Sequence, residues 1–134
     1  MSATVFIIDD NPIDCFIAEK LIKLTHTGSQ VTTFTNPQQA LELLQSLSNH
    51  TPADFPQVIF LDINMPLMDG WAFLEQYQTL SAQLIGQCSL FMLSSSSNAL
   101  DVDKAKTYAF IKAYFSKPFS MDIVAHASVK TVLV

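Results

Sequence analysis

Basic residues are scarce in this chain: seven lysines and arginines stand against twelve aspartates and glutamates, a net charge of −5 over 134 residues. No basic stripe is available to neutralise phosphates, so direct nucleic-acid binding is not expected. Cysteine is nearly absent. Cys15 and Cys88 lie far apart and match no metal or redox spacing, so both read as reduced, structural thiols of a cytosolic protein. The histidines His26, His50 and His126 are scattered singly, which argues against a histidine metal site. No segment reaches the roughly 20 apolar residues of a membrane helix, and no basic region opens the chain as it would a signal peptide. What the chain has in quantity is apolar surface. Hydrophobic residues make up 49%, against 14% charged, and ten are Phe. That composition supplies one compact core and excludes disorder, at a length that fits one domain.

Two kinds of segment alternate. Short β-branched or aromatic runs fall at Val5–Ile8, Val31–Phe34, Val58–Leu61, Leu90–Leu93 and Ala113–Phe115. Between them the apolar residues take helical spacing: Ile13, Phe16, Ile17, Leu21 and Leu24; then Ala40, Leu41, Leu43, Leu44 and Leu47; then Phe73, Leu74, Tyr77 and Leu80; then Ala105, Tyr108, Ala109 and Ile111. A fifth helix is expected from Met121 to about Thr131, capped by Ser120, with Asp122 in its first turn. Its apolar residues, Ile123, Val124, Ala127, Val129, Val132 and Leu133, exceed one buried face, which suits a partner surface or a hydrophobic tail. Asn11-Pro12 and Asn36-Pro37 read as caps followed by proline at the first helical position, and Asp69 as the cap of the third helix. Five βα units predict a parallel sheet with helices on both faces, and the most apolar strands, the first, third and fourth, should be central.

The third run ends abruptly in a carboxylate, Asp62, followed by the turn-rich Ile63-Asn64-Met65-Pro66-Leu67-Met68-Asp69-Gly70. A buried parallel strand emerges at its carboxyl end, the edge where open α/β sheets bind ligands. Asp9-Asp10 end the first strand, Ser94 the fourth, and Lys117 lies just past the fifth. Carboxylates converging on one edge repel by several kcal/mol at about 4 Å in a protein-like medium. Lys117 offsets part of that, and a hard divalent cation offsets it better. Mg²⁺ prefers oxygen ligands and accepts phosphate oxygens as well. A metal and an ammonium around one carboxylate suit phosphoryl transfer to Asp62, with the Ser94 hydroxyl as a donor to the phosphoryl group.

The combination Asp9-Asp10, Asp62, Ser94 and Lys117-Pro118-Phe119 resembles the receiver domain of two-component response regulators, as do the runs Leu61 to Gly70 and Phe115 to Phe119. The resemblance spans about Ala3 to Lys130 and implies a three-layer, flavodoxin-like (βα)₅ fold, a parallel five-stranded sheet of order 2-1-3-4-5. It implies that Asp62 accepts a phosphoryl group from a histidine kinase or a histidine phosphotransfer protein. Asp10, Asp62 and the backbone carbonyl of Asn64 would hold Mg²⁺, or Mn²⁺ as a substitute, with Asp9 helping through water. Lys117 would pair with the phosphoryl group, and the Lys117-Pro118 bond would be cis. Ser94 would be the switch hydroxyl, where many members carry Thr, and Tyr114 the switch aromatic. Asn64 and Ser96 would tune phosphoryl lifetime. The fourth helix, fifth strand and fifth helix would then change their surface for an unknown downstream protein.

On this reading residues 1–134 are one receiver domain without an output domain, cytoplasmic, monomeric or weakly dimeric, contacting neither nucleic acid nor membrane. It is no enzyme beyond its own Mg²⁺-dependent phosphorylation and dephosphorylation. The alternatives fit less well. A phosphorylation-independent pseudo-receiver usually lacks one of the acids or the lysine. An aspartate-nucleophile phosphatase characteristically carries a second acid two residues past the nucleophile, where this chain has Asn64. A flavin phosphate loop after the first strand would be repelled by Asp9-Asp10.

Overall fold

The computed structural model describes residues 3–95 and 99–130, with the side chains of residues 129 and 130 outside that description. Expectations for Ser96, Val129, Val132 and Leu133 therefore fall outside the described residues. The elements run β1 (Thr4–Ile8), α1 (Pro12–Thr25), β2 (Gln30–Phe34), α2 (Pro37–His50), a 3₁₀ turn (Pro52–Asp54), β3 (Val58–Asp62), α3 (Gly70–Tyr77), α4 (Ala82–Gln87), β4 (Ser89–Ser94), α5 (Ala99–Ala105), β5 (Ile111–Ser116) and α6 (Met121–Lys130). Among the described residues the strands form one sheet of order β2-β1-β3-β4-β5, every neighbouring pair parallel. This is the expected flavodoxin-like order, with β1, β3 and β4 central.

Alternation along the strands divides the core in two. Phe6, Ile8, Ile59, Leu61, Leu90 and Met92 face α2, α3 and α4. Val5, Ile7, Val58, Phe60, Phe91 and Leu93 face the other way and pack on α1 and α6. The β3 strand is buried along its whole length, as a strand covered on both faces must be. The expected caps form: Asn11 accepts from the backbone of Ile13 and Asp14, Asn36 from Gln38, Asp69 from Ala72 and Ser120 from Ile123.

Three local expectations need correction. The apolar spacing around Ala105–Ile111 marks no helix there: α5 ends at Ala105, and Ile111 is taken into β5 opposite Leu90. Backbone pairing with β4 overrides the weak helical spacing. The turn between α5 and β5 instead clasps α3, where Tyr108 stacks on Trp71 at 6.1 Å and donates to Glu75 at 2.8 Å, and Lys104 lies 4.8 Å above the Trp71 ring. The short helix α4, capped by Ser81, has too few residues to show a period, so apolar spacing does not reveal it. The third correction concerns α1. Its buried face is Cys15, Ala18 and Ile22, whereas Ile13, Phe16, Ile17 and Leu24, read as a core stripe, point to the opposite side at 41–71% exposure. The helix is apolar on two faces, and sequence spacing alone favours the larger residues.

Candidate functional site

Register brings the acids together. Ile8 pairs with Leu61, so the next residues, Asp9 and Asp62, come level at the carboxyl edge of the sheet. Both continue the alternation that faces α1 and α6, the one carrying Val5, Ile7, Val58 and Phe60. Lys117 reaches the same place from the β5–α6 loop, whose backbone is held by its own N–H donating to the Ser94 carbonyl at 2.8 Å. The Lys117-Pro118 peptide is cis. Below the acids, the loop after β3 folds back tightly enough that Gly70 is required. A Cβ there would lie 2.8 Å from the Ile63 Cα and 2.9 Å from the Asp62 carbonyl oxygen.

The Lys117 ammonium lies 2.7 Å from Asp9 Oδ2, 3.1 Å from Asp14 Oδ2 and 3.4 Å from Asp62 Oδ2. The other oxygens of the two buried acids are occupied by backbone: Asn11 N–H donates to Asp9 Oδ1 at 3.0 Å and Asn64 N–H to Asp62 Oδ1 at 3.2 Å. Asp9 and Asp62 are each only 2% exposed. Burial, and then the charge of Asp9, push the Asp62 carboxyl up to about 6, against the partial relief given by Lys117 and the Asn64 N–H. Burial works against the Lys117 charge, but hydrogen bonds to Asp9 and Asp14 and the charges of Asp9 and Asp62 overcome it, holding the ammonium above the ordinary lysine range. Cys15 donates to the Asp9 carbonyl, and burial followed by the charges of Asp9 and Asp14 pushes its thiol up to about 11, so it is no nucleophile.

Asp9, Asp10 and Asp62 each offer a carboxylate oxygen, and these oxygens lie within 4.8 Å of one another. An all-oxygen, anionic donor set of this kind fits Mg²⁺ or Mn²⁺. The fully buried Ser94 hydroxyl donates to Asn64 Oδ1 at 3.2 Å, so strand β4 and the loop after Asp62 are joined beside the acids. Tyr114 lies on β5 opposite Met92, half-buried against the core face shared with α3.

The site as built thus gathers Asp9, Asp10, Asp62, Asn64, Ser94 and Lys117, while Tyr114 lies on β5, the strand that leads into the Lys117 loop. Two features escape sequence reasoning. Asn64, expected to offer its backbone carbonyl and to tune phosphoryl lifetime, also uses its side chain as the partner of Ser94. Asp14 reads in sequence as an acid in the first turn of α1, favourable to the helix dipole, and in the structure it is a partner of Lys117. Its place four residues past Asp10, one turn into the helix that leaves the site, is the available signal. Chemically the group presents a buried carboxylate at a strand end, an ammonium against it, a hydroxyl donor nearby and an oxygen cluster for a divalent cation.

The fold and sequence of the chain are similar to those of known proteins. The response regulator receiver domain family matches residues 5–128. A two-component response regulator from Cytophaga hutchinsonii superposes with a TM-score of 0.86 at 26% identity, covering 97% of each chain. A response regulator receiver protein from Dyadobacter fermentans superposes with a TM-score of 0.80 at 29% identity, over 93% of this chain and 94% of the other. The nitrate/nitrite response regulator protein NarL of Escherichia coli (strain K12) is 32% identical over 93 residues, 69% of this chain, and the match spans only 39% of NarL.

Proposed function

The chain belongs to the response regulator receiver domain family, a signalling module of two-component systems rather than a classical enzyme, and from that premise we propose that Asp62 is its phosphoacceptor. The donor is a phosphohistidine on a histidine kinase or a histidine phosphotransfer protein. A carboxylate oxygen of Asp62 attacks phosphorus in line, forming an acyl phosphate. The bond between phosphorus and the donor imidazole breaks, and its electron pair stays on the ring nitrogen. Asp9, Asp10, Asp62 and the Asn64 carbonyl would hold Mg²⁺, which would neutralise charge on the phosphoryl oxygens. Lys117 supplies a second positive group, and the Ser94 hydroxyl leaves Asn64 Oδ1 for a phosphoryl oxygen. Tyr114 follows that shift, and the surface of α5, β5 and α6 changes for a downstream protein. The module works in the cytoplasm, as a monomer or weak dimer.

The observation that carries this reading is the ammonium of Lys117 set between Asp9 and Asp62 at the edge of an acid cluster. A phosphorylation-independent role would not need that arrangement, since burying and crowding these charges costs the fold stability. The exposed apolar face of α1, with Phe16 at 62% exposure, begins beside the same acids and supports a protein as donor.

Intact-mass analysis after incubation with acetyl phosphate tests the proposal. A single Mg²⁺-dependent, hydroxylamine-labile phosphate is expected on the wild-type chain and none on Asp62→Asn. An adduct that persists on Asp62→Asn refutes Asp62 as the acceptor. Absence of both the adduct and beryllofluoride binding refutes a working receiver.

A further inference from the structure

The chain contains no arginine, and among the described residues Lys117 is the cation shared by three carboxylates. Two of the three, Asp9 and Asp62, also belong to the oxygen cluster suited to a divalent cation. On each of them one oxygen is occupied by a backbone N–H, and the other, Oδ2, faces the ammonium. An ammonium and a metal would therefore draw on the same two carboxylates. Asp14 is different. It lies outside the cluster, its carboxylate is 38% exposed, and its backbone is fixed in the first turn of α1 by the Asn11 cap. Its contact with Lys117, at 3.1 Å, is shorter than that of Asp62.

We infer that Asp14 is a positioning residue: it is the carboxylate that retains Lys117 when Asp9 and Asp62 turn to a divalent cation. The lysine thereby stays at the mouth of the site, ready for a phosphoryl oxygen, without blocking the metal ligands. Without Asp14 the ammonium falls back on Asp9 and Asp62, and cation binding must displace it with no anionic partner to receive it. The inference rests on the metal-binding reading above and extends it to a residue of α1.

The test is a Mg²⁺ titration without any phosphodonor, followed by the amide resonances of Asp62 to Asn64, on wild type, Asp14→Asn, Asp14→Glu, Lys117→Met and the Asp14→Asn/Lys117→Met double variant. Asp14→Asn should weaken Mg²⁺ binding about three- to fivefold, the range of a partly exposed ion pair, and Asp14→Glu should restore it to within about twofold. In the Lys117→Met background, Asp14→Asn should shift affinity by less than about twofold, because nothing is left to position. Equal weakening in both backgrounds overturns the inference, since Asp14 would then act only as a nearby negative charge. Unchanged affinity in Asp14→Asn overturns it as well. If wild type binds Mg²⁺ normally in either case, the metal reading stands and only the role of Asp14 falls. Failure of wild type to bind Mg²⁺ overturns both.

Discussion

Replacing Asp62 by asparagine should make the metal-free protein more stable while abolishing its chemistry. The carboxyl of Asp62 is displaced from an ordinary 3.8 up to about 6, chiefly by burial and then by the charge of Asp9. Each pH unit of displacement corresponds to about 1.4 kcal/mol, so the ionised carboxylate costs the fold about 3 kcal/mol near neutral pH, net of the help from Lys117. The acid is 2% exposed, so solvent screens little of this. Asparagine retains an oxygen for the Asn64 N–H and leaves Lys117 with Asp9 and Asp14. In a domain of this size about 3 kcal/mol corresponds to roughly 10 °C in melting temperature. The sign fixes the pH window. Below the unfolded value near 4 the carboxyl is protonated in both states and the penalty is absent. Between 4 and 6 the folded state holds the extra proton, and wild-type stability declines as pH rises. Above about 6 the full penalty applies. Thermal melts of wild type and Asp62→Asn in EDTA, from pH 4.5 to 7.5, should therefore diverge with rising pH, the variant being the more stable. Mg²⁺ should narrow the gap, since the variant has lost one carboxylate of the oxygen cluster suited to a divalent cation. A variant less stable than wild type at pH 7.5, or a gap that does not change with pH, would refute the reasoning.

Lys117→Met should destabilise the metal-free protein by about 3 kcal/mol, because Asp9 and Asp62 then face each other without a countercharge. Urea unfolding with and without Mg²⁺ checks this, and Mg²⁺ should recover most of the loss. Gly70→Ala should cost about 1–3 kcal/mol, because its Cβ would press on backbone atoms of Ile63 and Asp62 that cannot yield as a side chain would. A lower urea midpoint together with weaker Mg²⁺ binding is the expected outcome, since the strain falls on the loop that carries Asp62 into α3.

Where the sequence is legible, one physical signal dominates each region. A fully buried strand that stops at Asp62 shows both its place in the sheet and its charged edge, and the asparagine and aspartate caps mark three helix starts directly. Where two tendencies compete, spacing misleads. In α1 the bulky Ile13, Phe16 and Leu24 outweigh Cys15, Ala18 and Ile22 by eye, yet the smaller residues let the helix lie close on the sheet. Around Ile111 a helical period and a strand coincide, and pairing with β4 decides between them. Asp14 is illegible for another reason. Its role depends on where a lysine 103 residues away ends up, and no local pattern carries that.

Trp71 is the sole tryptophan of the chain, and its position gives the protein an optical reporter of its own. The indole follows Gly70 on α3, lies against Tyr108 and sits beneath Lys104 of α5. Tryptophan emission from the unlabelled protein, excited selectively at the red edge of the indole band, therefore comes from one ring that bridges the acid-bearing loop and the helix beyond β4. Any displacement of α5 relative to α3 alters both the charge above that ring and the aromatic face beside it. Conformational traffic between the two regions can be timed by stopped flow, in the native sequence, with no dye attached.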